Sequence, residues 1–159
     1  MKTNLLLVAL LSVFLYTHPL SLMSQKESAP KEKTETAVVS TDLSTKGMPV
    51  MKIKSEGKNV EDAILRGQRY AVGLCLFPNK ELPNLIPICT TEGWTKHNAY
   101  FRLFLEDEGN YLNFVRLTTD GFPLEGNRKK TENGYQVTIK VEVLYNELRS
   151  EMRKEQIID

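Results

Sequence analysis

The hydrophobic pattern alternates between a period of two and helical spacing, and that alternation predicts the order of elements. In "MPVMKIKSE", Val50, Met51 and Ile53 are set against Lys52 and Lys54, as in a strand with one wet face. Gly57 interrupts it. Asn59 is then a good helix N-cap, and Glu61 and Asp62 fall in the first turn, where acids suit the helix dipole. Val60, Ala63, Ile64, Ala71 and Leu74, with Gly67 on the same stripe, give one apolar face to a helix of about fourteen residues. Gly67 and Gly73 each weaken that helix by about 1 kcal/mol relative to Ala. A glycine on the inner face implies close packing against a sheet.

Further on, the apolar runs Tyr100–Leu105 and Tyr111–Thr118 flank "EDEGN" and predict a hairpin with a Gly-Asn turn. "FPLEGNRKKTENG" reads as a long polar loop. "YQVTIKVEVL" alternates without fault, with Val137, Ile139, Val141 and Val143 on one face and Thr138, Lys140 and Glu142 on the other. One dry and one wet face fit an antiparallel sheet. Asn146 is placed to cap a last helix, "ELRSEMRKEQ", whose Leu148 and Met152 face inward at i, i+4. The fold class is therefore α+β: a mainly antiparallel sheet of about four strands in the order β-α-β-β-β-α, with two helices packed on one face.

The N-terminal third changes this picture. "MKTNLLLVALLSVFLYTHPLSLMSQ" has one early Lys, then an apolar run from Leu5 to Tyr16, too short for an ordinary membrane span and suited to a signal peptide cleaved after Ser24. Residues 25–47 are polar and of mixed charge, and read as a disordered tether. Residues 48–159 then form the single folded domain. Lys2 is the one charged residue in 1–24, so without it basic and acidic residues are equal in number. That balance argues against bulk attraction to nucleic acid or an anionic membrane.

In an oxidising compartment, Cys75 and Cys89 are expected to form a disulfide closing a ring of about fifteen residues, worth roughly 3 kcal/mol in the chain-entropy model. Two buried free thiols are the competing arrangement. Cys75 lies between Leu74 and Leu76, a setting that opposes thiolate chemistry.

Candidate chemistry is sparse. His97 stands without a second histidine at metal-ligand spacing, so a metal site would need distant carboxylates. Glu106, Asp107 and Glu108 lack the alternation of a calcium loop and suit a hairpin tip. No GxSxG, dinucleotide or P-loop pattern occurs. Tyr100, Phe101, Phe104, Tyr111 and Phe114 suit core packing better than a ligand platform. No cofactor or metal is expected. Two loops are the expected contact surfaces: Pro78–Asn98, with Trp94 and His97, and Gly121–Gly134, with Arg128, Lys129 and Lys130.

Two stretches carry a resemblance. "EGKNVEDAILRGQRYAV" looks like a Gly-terminated strand followed by a helix of the pattern xxEAxxxALRxAI, and "GYQVTIKVEVLYNELRSEMRKEQIID" resembles a Val-rich strand followed by LRxxLxxxGII. Both patterns are similar to those of small secreted proteins of Bacteroidetes. The first also resembles the N-terminal module of flagellar assembly protein T and related envelope lipoproteins. The chain departs from them at Arg66-Gly67, where the pattern has Asn-Ala, and at Gln156, where it has Gly. The resemblance implies a non-catalytic α+β module in a periplasmic or surface-attached assembly. The functional expectation is an exported, periplasmic or extracellular binding or structural module, partnered by another envelope protein, with no membrane span after cleavage. The alternatives are a small secreted hydrolase using carboxylates with His97, and a small-ligand carrier with an apolar cavity.

Overall fold

The computed structural model of the chain describes residues 36–43, 48–118 and 123–159. The signal peptide expected at 1–24 lies outside them. Within them, an open antiparallel sheet of five strands is combined with four helices, so the α+β class stands.

The two strands with the clearest alternation form the centre. β2 (Pro49–Gly57) and β5 (Gly134–Val143) pair antiparallel from Val50↔Glu142 to Gly57↔Tyr135. In this register Met51, Ile53 and Ser55 share the dry face with Val137, Ile139 and Val141, all buried. Lys52, Lys54, Thr138 and Lys140 share the opposite face.

Helix α1 (Val60–Leu76) covers the dry face. Asn59 starts it as the sequence predicts, its side-chain oxygen accepting from the Asp62 amide at 2.8 Å. The helix turns Ala63, Ile64, Ala71, Leu74 and Cys75 into the core. Gly67 lies where a Cβ would come within 2.7 Å of the Ile139 Cδ1 and 2.9 Å of the Ser55 Oγ, the close approach its position implied. Ser55 is the buried polar side chain of this layer, and its hydroxyl donates to the Ala63 carbonyl at 2.7 Å.

The sheet has a further strand where a tether was expected. β1 (Ala37–Leu43) pairs antiparallel with β2, from Ala37↔Lys54 to Leu43↔Pro49, with a register shift between Val38 and Ser40. The folded part thus begins before Met48. An edge strand of this kind is held by backbone bonding to its neighbour and needs few buried side chains. Among the described side chains of this strand only Val38 packs against the core, so composition gives little sign of it. The other tether residues lie outside the described ones or are a single residue before the strand.

The expected hairpin at Tyr100–Thr118 does not form. Helix α2 (Thr91–Lys96) runs into α3 (Asn98–Phe104), and after a turn come a 3-10 helix (Asn110–Phe114) and the short strand β3 (Val115–Leu117). Phe101 and Phe104, three residues apart, face inward together, which is helical spacing. The acidic cluster Glu106–Glu108 therefore follows a helix and is not a hairpin tip, and Asp107 pairs with Arg69 at 3.0 Å.

The polar loop before β5 also contains structure. β4 (Arg128–Thr131) pairs with the first part of β5, from Arg128↔Val137 to Thr131↔Gly134, while β3 pairs with its last part. The two short strands thus share one edge of β5, and β2 takes the other.

Helix α4 (Tyr145–Lys154) buries Leu148 and Met152 as predicted. It begins earlier than expected, however, so Asn146 lies inside the first turn and gives no side-chain cap. Just beyond the helix and its C-cap Glu155, Gln156 has a left-handed φ of 57°. There the Ile157 amide donates to the Met152 carbonyl at 2.8 Å. This is the glycine-favouring closure of a helix, made here with Gln. Among the described residues no helix is long and apolar enough to cross a membrane.

Candidate binding surface

The segment between α1 and α2 is irregular but tightly anchored, and a side chain rather than a disulfide anchors it. Asn79 donates to the carbonyls of Leu74 and Phe77 at 2.8 and 2.9 Å, closing the end of α1. Its oxygen accepts from the amides of Glu81 and Leu82 at 3.1 and 2.8 Å, shaping the next turn. Further along, the Ile88 amide donates to the Cys75 carbonyl and the Cys89 amide to that of Leu76, at 3.0 and 2.8 Å. The Tyr145 hydroxyl reaches the Ile86 carbonyl at 2.6 Å.

Cys75 and Cys89 are both free and both buried. These hydrogen bonds join the segments that carry them, Cys75 to Ile88 and Cys89 to Leu76, but the sulfurs are not at bonding distance. Burial pushes the Cys75 thiol up to about 12 and the Cys89 thiol to about 11, from an ordinary 9.0. Both should therefore resist alkylation in the folded chain at pH 8 and react fully once it is unfolded, which intact-mass measurement after brief iodoacetamide treatment would read. Rapid labelling of the native chain would show the burial to be wrong. The sign of the linkage follows. Unfolded thiols ionise near pH 9 while the folded ones stay protonated, so their contribution to stability is complete below about pH 9 and falls as the pH rises toward 12.

The anchored loop forms one wall of a cleft. Its residues Leu82, Pro83, Asn84 and Leu85 face Thr41 and Asp42 of β1 and Pro49 and Met51 of β2 across a concavity of about 300 Å³. Glu81 ties the walls together: its carboxylate accepts from the Val38 amide at 3.3 Å and from the Tyr70 hydroxyl of α1. Burial, followed by this contact with Glu81, raises the Tyr70 pKa, so the phenol stays protonated and serves as a donor. Ile86, next to Leu85 in the chain, is 77 % exposed, and Val39 on β1 is 55 % exposed, both large apolar side chains in solvent. β1 is the last strand in the sheet order on its side, so its outer edge has no strand partner among the described residues.

The residues singled out from sequence are dispersed. Trp94, on α2, is half-buried and packs on Phe77 and Phe101, with ring centroids 4.4 and 5.4 Å away. His97 joins α2 to α3 and lines a concavity of about 370 Å³ with Glu92, Lys96 and the C-terminal residues Gln156–Asp159. Among the described residues its imidazole makes no hydrogen bond or ion pair. No three His, Cys, Asp or Glu side chains among the described residues gather as a metal cluster would. Arg128, Lys129 and Lys130 form β4, an exposed edge strand rather than a loop tip, with Arg128 3.8 Å from Glu125.

The cleft residues Glu81, Leu82 and Leu85 were not singled out from sequence. The signal that pointed near them was the length of the loop, unusual unless it is functional or tied down. Scans against protein-family models, curated proteins and solved structures return no match to this chain.

Proposed function

We propose that the chain is an exported, non-catalytic binding module, an accessory part of a cell-envelope assembly, and that it receives an extended segment of a partner envelope protein along the free edge of β1. The observation that carries this reading is the juxtaposition of an unpaired strand edge with an apolar cleft. Strand addition draws affinity from main-chain hydrogen bonds and specificity from pockets that take alternate side chains. Here β1 offers the first. The cleft between Met51, Leu82 and Leu85 offers the second, and Ile86 and Val39 are exposed apolar side chains on the loop and on β1. Export is supported by the N-terminal apolar run of the sequence.

The test is photo-crosslinking in intact cells, with the reactive side chain at Thr41, on β1 at the cleft wall, followed by capture and mass spectrometry beside a tagged secreted control. One or two envelope proteins should be enriched. Their capture should fall about tenfold in a Val39→Lys, Ile86→Asp double variant, because a charge on a strand edge opposes pairing. If no envelope protein is enriched, or the double variant captures the same protein equally well, this reading fails.

A further inference from the structure

On the wet face of the sheet, the register places two lysines directly opposite one another. Lys52 of β2 pairs with Lys140 of β5, and Ser40 of β1 pairs with Lys52 on its other side. Side chains directly opposite in an antiparallel pair have Cβ atoms about 5 Å apart, and like charges so placed destabilise the pair. Neither ammonium is engaged in an ion pair among the described residues.

The surroundings are those of an anion site. Ser40, Lys52, Thr138, Lys140 and Asn127 line a concavity of about 320 Å³ on this face. The hydroxyls of Ser40 and Thr138 and the amide of Asn127 can donate hydrogen bonds, while the lysines supply charge. Asp42 is the acid of the lining. It sits opposite Val50, a rung beyond Lys52, so the lysine rung keeps an excess of positive charge. Lys54, opposite Thr138, adds a third ammonium on the same face. At the two ends of this basic strip stand Glu142, opposite Val50, and Glu56, whose carboxylate accepts from the Gln136 amide at 2.7 Å.

We infer that this concavity is a binding site for a phosphate or sulfate group, held between the Lys52 and Lys140 ammonium groups with Ser40, Thr138 and Asn127 as hydrogen-bond donors. A tetrahedral oxyanion has acceptors for both ammonium groups and the neutral donors at once, and its charge offsets the repulsion between the lysines. The site lies on the open face of β1, β2 and β5, whereas the edge proposed for a protein partner is the outer side of β1.

The test is a titration of the isotope-labelled full chain with inorganic phosphate, at ionic strength held constant with chloride and read by the NMR signals of Ser40, Lys52, Thr138 and Lys140. These signals should shift and saturate. Lys140→Gln should weaken the effect about tenfold, the scale of one charge-assisted contact. Lys52→Glu should abolish it and, without phosphate, raise Tm, because a repulsive cross-strand pair becomes an attractive one. Non-saturating shifts, shifts reproduced by chloride alone, binding unchanged in both variants, or a lowered Tm in Lys52→Glu would each overturn the inference. Sedimentation with phosphatidylglycerol and phosphatidylcholine vesicles separates the sources. Binding to the former, competed by free phosphate and lost in Lys52→Glu, supports the site as a headgroup site. Phosphate binding without vesicle binding supports it as a site for a free or non-lipid group. Vesicle binding indifferent to both phosphate and Lys52→Glu would put the anion elsewhere and overturn it.

Discussion

Replacing Phe101 by Ala is expected to cost about 3–5 kcal/mol of folding stability, the usual range for truncating a fully buried aromatic. Phe101 has no solvent exposure and sits at the junction of three elements. Its ring centroid is 4.9 Å from that of Phe77 at the end of α1, 5.4 Å from Trp94 on α2 and 5.5 Å from Tyr100 on its own helix. Removing it leaves a cavity and strips three ring contacts, two of them near-perpendicular at 79° and 82°. Edge-to-face pairs add about 0.5–1.5 kcal/mol beyond area burial. Urea unfolding followed by tryptophan fluorescence reads both effects, since Trp94 is the chain's one tryptophan and a direct neighbour.

The neighbouring position makes the experiment sharper. If Tyr100–Leu105 were the strand that its aromatic content suggested, Phe101 and Leu103 would share a face and cost alike. In α3 they do not: Leu103 is 60 % exposed, and Leu103→Ala should stay within about 0.5 kcal/mol of the parent. Phe104, three residues on from Phe101, should behave like Phe101. The order of the three costs therefore reports the secondary structure directly. Equal losses at Phe101 and Leu103 with none at Phe104 would restore the hairpin.

This pair of residues also shows where the sequence was legible. β2, α1, β5 and α4 each carry a periodic contrast between apolar and polar positions over two or more repeats, because each has one face in the core and one in water. In Tyr100–Leu105 the apolar residues fall at 100, 101, 103, 104 and 105, so the contrast is almost lost and aromatic content suggested a strand. β1 gives the opposite difficulty. Its edge position leaves it mostly exposed, and its order comes from hydrogen bonds to β2, which side-chain identity hardly encodes. At the loop after α1, Cys75 in the helix and Cys89 in the loop suggested a disulfide, when the residue that organises the segment is Asn79. The phosphate-group site was half legible. Lys52 and Lys140 each read as wet-face residues, but their direct opposition is a property of the β2–β5 register, which no local window contains.

Gly134→Ala is expected to cost about 3 kcal/mol or more, the sum of a strained backbone and a clash that cannot relax. Gly134 closes the turn between β4 and β5 with a φ of 151°, a conformation L side chains rarely adopt. A Cβ there would lie 2.1 Å from the Gly57 carbonyl oxygen and 3.0 Å from the Lys58 Cα. Both are backbone atoms of the β2–α1 connection, so no rotamer change gives room. The hairpin would have to lift away from the point where β2 hands over to α1, loosening the Thr131↔Gly134 and Gly57↔Tyr135 pairings together. Gly73 supplies the control, because nothing lies within 4 Å of a Cβ built on it and it sits within α1. Gly73→Ala should stabilise the chain by up to about 1 kcal/mol through helix propensity. One and the same substitution is thus expected to act with opposite sign at two glycines. Thermal unfolding gives the signs, and hydrogen exchange of the β4 and β5 amides gives the location, with protection lost near the turn in Gly134→Ala alone. A Gly134→Ala chain as stable as the parent would mean that the turn does not pack against Gly57, and the end-to-end placement of β3 and β4 along β5 would then need a different register.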